Sequence, residues 1–183
     1  TPPSWFSETY AGIQQNGNQT NPIFRNGTVD ITCLCQDPHL VLAYGGRADM
    51  RGEHDKYYAF VSSPNTQVNV RITESIFKLN NVTVNGTFLS EVHIMTKREK
   101  WLNLSFVANR LNKRHYSWSF ANGTCDGERV VLGPHGKKTC GSTSASIDFS
   151  SAYVKTSDWD LLIAGRPIFN SVLGPAHRLD LSI

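Results

Sequence analysis

No run of 18 apolar residues occurs in the 183-residue chain, so no membrane-spanning helix is expected. Massed positive charge is also missing. The 18 Lys and Arg are offset by 15 Asp and Glu, and the densest basic stretches, Lys97-Arg98-Glu99-Lys100 and Lys113-Arg114-His115, are short. Nucleic acid is therefore not an expected partner. A Gly-x-Ser-x-Gly nucleophile turn is absent, and Gly133-Pro134-His135-Gly136-Lys137-Lys138 lacks the eight-position phosphate-loop spacing and reads as an exposed loop. Helical periodicity is missing too. The chain starts at Thr1, with neither Met nor a charged-then-apolar leader, and is expected to be a mature, soluble product. Its length suits one sizeable domain rather than two.

Cysteine is scarce, with four residues at Cys33, Cys35, Cys125 and Cys140. An even count split between two distant regions predicts two disulfides. An extended Cys-x-Cys sets its side chains on one face about 7 Å apart, beyond ordinary bridge geometry. Cys33 and Cys35 are each expected to pair with Cys125 or Cys140. Zinc is disfavoured, because neither Cys-x-Cys nor the gap between Cys125 and Cys140 matches the usual ligand spacing.

Asparagine followed at the second position by Ser or Thr is what the chain has in excess. Six such sequons stand at Asn18, Asn26, Asn81, Asn85, Asn103 and Asn122, where chance pairing of 14 Asn with 31 Ser and Thr gives roughly two. Covalent N-glycans are expected, and with them a secretory route and an extracellular or cell-surface location. No other cofactor and no metal is expected.

Period-two alternation runs through the chain. In Trp101 to Val107, Leu102, Leu104 and Phe106 share one face while Trp101, Asn103 and Ser105 share the other. Val68/Val70/Ile72, Tyr116/Trp118/Phe120, and the segments 40–44, 57–61, 91–95 and 160–164 read as further strands. Asn85-Gly86, Asn122-Gly123, Asn26-Gly27 and Asn16-Gly17 suit tight turns, since type I′ turns need positive φ twice, and the first two are expected to close hairpins. Many short strands predict an all-β, antiparallel sandwich or barrel-like domain. Residues 1–32, rich in Asn, Gln and Gly with Trp5, Phe6, Tyr10 and Phe24, read as an extended N-terminal arm that packs on its own domain or adds a strand to a neighbour. The domain proper is then 33–183.

From Cys35 the chain continues Gln36-Asp37-Pro38-His39, with Gly45, Gly52 and Tyr57-Tyr58 following. The Asp-Pro-His with glycines at these intervals resembles the von Willebrand factor type D domain, and the opening is shared with a plant root-cap-like family. The resemblance covers residues 33 to about 145. Tyr44 stands where the family has an Asp before its first Gly, and Ala48 and Met50 replace its aromatic pair. Ser142-Thr143-Ser144-Ala145 follows Cys140-Gly141 without the carboxylates that a calcium site needs. The resemblance implies a disulfide-linked extracellular β fold, Cys35–Cys140 and Cys33–Cys125 bridges, and assembly rather than chemistry.

Asp37, His39, Asp49, His54 and Asp55 crowd into 19 positions, which raises a metal or acid/base site. Turn and loop roles explain them more simply: Asp37-Pro38 starts a strand, and 53–56 is a polar hairpin loop. No catalytic residue is therefore expected. The expected function is a secreted, heavily N-glycosylated structural protein that self-associates into an extracellular fibre, coat or matrix through its arm, its partners being copies of itself and glycans. A monomeric carbohydrate-binding or adhesion module, with Trp101 as the best sugar-stacking aromatic, is the alternative, and a secreted hydrolase using His39 a third.

Overall fold

The computed structural model describes residues 31–35, 39–42, 47–49, 51–112, 117–118 and 121–183. The expected arm up to residue 30 lies outside them, as do Asp37, Pro38, Gly45, Tyr116 and Phe120. Among the described residues there is no α-helix, only one 3-10 turn at Ala108–Arg110.

Seventeen strands follow: β1 (Ile31–Cys35), β2 (His39–Leu42), β3 (Arg47–Asp49), β4 (Lys56–Ser62), β5 (Thr66–Leu79), β6 (Val82–Lys97), β7 (Trp101–Val107), β8 (Leu111–Asn112), β9 (Ser117–Trp118), β10 (Ala121–Cys125), β11 (Glu128–Leu132), β12 (Lys137–Cys140), β13 (Thr143–Asp148), β14 (Ser151–Lys155), β15 (Asp160–Pro167), β16 (Ser171–Leu173) and β17 (His177–Ser182). The main sheet is antiparallel and runs β11-β10-β7-β6-β17-β15-β14-β13-β12. Its two ends are consecutive strands joined by residues 133–136, so the sheet curls back on itself into a nearly closed barrel. β5 lies on the second edge of β6 and carries β4 and β16, while β1, β2 and β3 continue outward from β17.

Alternation explains the core. Val68, Val70 and Ile72 of β5, Val92 and Ile94 of β6, and Leu102, Leu104 and Phe106 of β7 point inward and are buried with Ile147, Ile163, Leu179 and Leu181 from the far side. Full burial of each such side chain contributes about 1.5–3 kcal/mol. The interior also holds a matched polar pair: the hydroxyls of Thr96 and Thr143 hydrogen-bond at 3.2 Å.

The cysteine pairing differs from expectation. Cys125, ending β10, is bonded to Cys140, ending β12, with Cα atoms 5.9 Å apart. This excludes the Cys35–Cys140 and Cys33–Cys125 bridges. The curl of the sheet brings the ends of β10 and β12 together across the seam, a long-range consequence that spacing could not reveal. The side chains of Cys33 and Cys35 are outside the described set.

The two expected Asn-Gly hairpin turns among the described residues are also displaced, and Asn16-Gly17 and Asn26-Gly27 lie outside them. The long hairpin turns at Asn80-Asn81, with φ of 47° and 64°, and not at Asn85-Gly86. Gly86 is buried inside β6 opposite Ser75. The β10–β11 hairpin turns at Asp126-Gly127 (φ 49° and 84°), leaving Asn122-Gly123 in mid-strand. A Cβ at Gly123 would overlap the carbonyl oxygen of Asn103, so this glycine permits close strand approach rather than a turn.

β5 and β6 pair throughout but change character at a bulge. Arg71 faces Glu91 and Ile72 faces Leu89, leaving Ser90 as the extra residue. On the near side, β4 and β7 flank the hairpin. On the far side, it runs on to the Asn80-Asn81 turn with β16 along β5.

Candidate functional site

Four sequons fall among the described residues. Asn81 is at the tip of the long hairpin and Asn85 is four residues further along β6, both exposed. Asn103 and Asn122 are half-buried on the outer face of adjacent strands, and their sequons interlock: Asn103 is opposite Thr124, and Asn122 is opposite Ser105. The side-chain oxygens of both are buried without a hydrogen-bond partner. Asn18 and Asn26 lie outside the described residues.

The resemblance motif is only partly visible. Gly52 is buried, and a Cβ there would collide with Ile72 Cδ1 and touch Tyr58, so a side chain is excluded by packing. His39 sits in β2 opposite Asp49 of β3. His54 and Asp55 are in the turn before β4. His54 Nδ1 accepts the backbone N–H of Glu74 at 3.0 Å, and Asp55 is bound to Arg71 Nη2 at 3.0 Å. No group of three or more His, Cys, Asp or Glu side chains suited to a metal occurs among the described residues.

What the structure assembles instead is a charged network on the outer face of β4, β5, β6 and β7. Arg71 donates to Glu91 Oε1 at 2.6 Å, Tyr57 donates its hydroxyl to Glu91 Oε2 at 3.1 Å, and His93 Nε2 lies 2.8 Å from the same oxygen. His93 Nδ1 lies 2.8 Å from Ser105 Oγ. Burial would push the Glu91 carboxyl up, but hydrogen bonds from His93 and Arg71 outweigh it and hold the group down at about 2. Burial, then the charge of Glu91, raises Tyr57, and the bond to Glu91 raises Arg71. His93 is only 7% exposed although it points away from the barrel interior.

Ser105, His93 and Glu91 form a hydroxyl–imidazole–carboxylate chain, the connectivity of a nucleophile relay. A relay also needs donors for an oxyanion, and β7 around Ser105 is committed to ladders with β6 on one side and β10 on the other. The contacts of Tyr57, Arg71, Glu91, His93 and Ser105 tie four strands together. Composition did not reveal this network. Its signal was the alternation of Glu91 and His93, together with Arg71 directly opposite Glu91 on the adjacent strand β5, and it becomes readable only once that register is known.

Trp101 is 46% exposed, with Lys97 Nζ 4.6 Å from its ring centroid. Its backbone N–H donates to Asp126 Oδ1 and its carbonyl accepts from the Asp126 N–H, both at 2.8 Å, which fastens the β10–β11 turn to the start of β7. Trp159 packs against the core instead. The side chains of Trp5 and Trp118 lie outside the described residues.

Among the described residues, the largest accumulation of exposed apolar side chains is at the far end of the long hairpin. Leu79 and Val82 flank the Asn80-Asn81 turn at 59% and 62% exposure, and Phe169, Val172 and Leu173 of the neighbouring β16 segment are at 73%, 61% and 66%. A backbone bond from Lys78 N–H to the Asn170 carbonyl docks the two segments (N···O 3.1 Å), supported by Ser75 Oγ donating to the carbonyls of Leu173 and Pro175. No helix among the described residues is long and apolar enough to cross a membrane. No protein-family model, curated protein or solved structure matches this chain.

Proposed function

We propose that this is a secreted, N-glycosylated structural protein of von Willebrand type D-like character that self-associates into an extracellular fibre, coat or matrix, its N-terminal arm joining one copy to the next. The observation that carries this reading is the exposed apolar end of the hairpin: five large side chains, each more than half exposed, gathered beside the sequons Asn81 and Asn85. Apolar patches of that kind on a sugar-bearing surface mark protein contacts. Glycans keep the remaining surface soluble, and the anchored barrel supplies a rigid body for the repeat.

Electron microscopy and sedimentation of the secreted, glycosylated chain test it. Polymer from the full chain and monomer after deletion of residues 1–30 are expected. Unchanged polymer after the deletion removes the arm from the mechanism, and a full chain that stays monomeric at all concentrations removes assembly. A second reading, a carbohydrate-binding module, is favoured by exposed Trp101 alone. It requires saturable glycan binding that Trp101→Ala abolishes.

A further inference from the structure

We propose, on the basis of the self-assembly reading above, that the acceptor for the arm is the open edge of β16 with the apolar face of the distal β5–β6 hairpin, and that its occupant is the segment 1–30 of a second copy, added as an extra strand. Among the described residues, the only strand paired with β16 is β5, which leaves its other edge as the place where an incoming strand could be added. Phe169, Val172 and Leu173 offer apolar contacts along that edge, and Leu79 and Val82 extend them towards the hairpin tip.

The placement of the sugar acceptor selects one side. Register puts Phe77, Leu79, Val82 and Val84 on one face of the distal hairpin, and puts Asn85, with Thr83 and Thr87, on the other. A glycan on Asn85 covers the second face, while on the first Phe77 and Val84 are half-buried and Leu79 and Val82 stay exposed at the tip, so the end of the hairpin is open to a protein partner from one direction.

Charge identifies the occupant. Between Ser75 and Ser90 the only charged residue is Lys78, and between Pro167 and Ala176 there is none. Residues 1–30 are similarly poor in charge, with Glu8, Arg25 and Asp30 only, and they carry Trp5, Phe6, Tyr10, Ile13 and Phe24. Trp5, Thr9, Ala11 and Ile13 fall on one face of an extended strand. Thirty extended residues reach up to roughly 100 Å, enough to leave one copy and cross to the next. Because donor and acceptor are different surfaces, the contact is heterologous and propagates as a filament when its rotation does not close.

Cysteine cross-linking of the full, glycosylated chain tests this. Copies carrying Trp5→Cys, Thr9→Cys or Ile13→Cys are mixed with copies carrying Val172→Cys and differently tagged. A disulfide-linked heterodimer from at least one pairing is expected. Polymer without any such heterodimer overturns the acceptor site and leaves self-assembly standing, whereas absence of polymer from the unmodified chain overturns both. A cross-link confined to single chains of the double variant Thr9→Cys with Val172→Cys shows the arm folding back on its own domain and overturns the exchange between copies. Efficient self-cross-linking of Leu79→Cys, indicating hairpin against hairpin, also overturns it. In parallel, Phe169→Asp with Val172→Asp is expected to raise the concentration needed for polymer at least tenfold with no change in thermal unfolding. Polymerisation at the unmodified concentration contradicts the proposal.

Discussion

The two halves of the β5–β6 hairpin share strands and pairing, yet one is sealed into the molecule and the other stands open. Before the bulge at Ser90, the pair is flanked by β4 and β7, its inner face fills the barrel and its outer face is tied by Arg71, Glu91 and His93. Beyond it, β16 touches one edge, and the last apolar residues before and after the turn face solvent. Backbone pairing is the same in both, so it does not decide which half holds the fold together. What decides it is whether the second edge and both faces find partners. A half that lacks them is free to serve another molecule.

Truncation in the two halves should then differ most in stability. Ile94 is fully buried in the near half, and Ile94→Ala should cost about 4 kcal/mol through lost transfer energy and the cavity left behind. Urea denaturation measures it. A loss below about 1 kcal/mol would mean that the barrel interior is loosely packed and the contrast between halves is false. The seam comes next. Replacing Cys125 and Cys140 together by Ser frees a span with a sequence separation of 15, for which the chain-entropy account gives about 3 kcal/mol. An unchanged urea midpoint would show that β11, the 133–136 connection and β12 hold the barrel ends without the bridge.

The outer face of the near half should show itself through pH. Glu91 ionises at about 2 when folded, against an ordinary 4.5, so its ionised form stabilises the fold. That contribution, on the order of 3 kcal/mol, is complete above about pH 4.5 and fades as pH falls towards 2. Glu91→Gln should flatten the dependence of the urea midpoint on pH across that window. An equally steep profile in the variant would assign the acid sensitivity elsewhere.

Fold class was legible because alternation is local: Leu102, Leu104 and Phe106 announce a half-buried strand with no knowledge of neighbours, and β4, β7 and β15 lie where the pattern puts them. Turns were less so. Asn-Gly at 85–86 and 122–123 satisfies the φ demands of a type I′ turn, but both glycines lie inside strands, Gly123 where its neighbour approaches too closely for a side chain, and Asn80-Asn81 and Asp126-Gly127 take the turns. Whatever depended on strand order was hidden. The Cys125–Cys140 bridge needs the barrel seam, and the Arg71–Glu91–His93–Ser105 network needs the register of three strands. The sequons were plain as sequence, but their locations, Asn81 on a tip and Asn103 facing Thr124 across a ladder, come from register alone.

The smallest effect is the most informative about the open half. Leu79→Ala removes a large side chain that is 59% exposed and closes no cavity in the isolated molecule, so its cost should stay within about 0.5 kcal/mol, the usual range for surface positions. Ile94→Ala, on the neighbouring strand of the same hairpin, should cost several times more. If Leu79→Ala instead destabilises the dilute monomer by more than about 2 kcal/mol, the side chain is already covered within the chain, the apolar end is part of the core, and it has nothing left to offer a second copy. If monomer stability is unchanged while assembly weakens, the leucine is kept for contact between molecules, because exposed apolar area gives the isolated fold almost nothing and stabilises only once a partner excludes water from it.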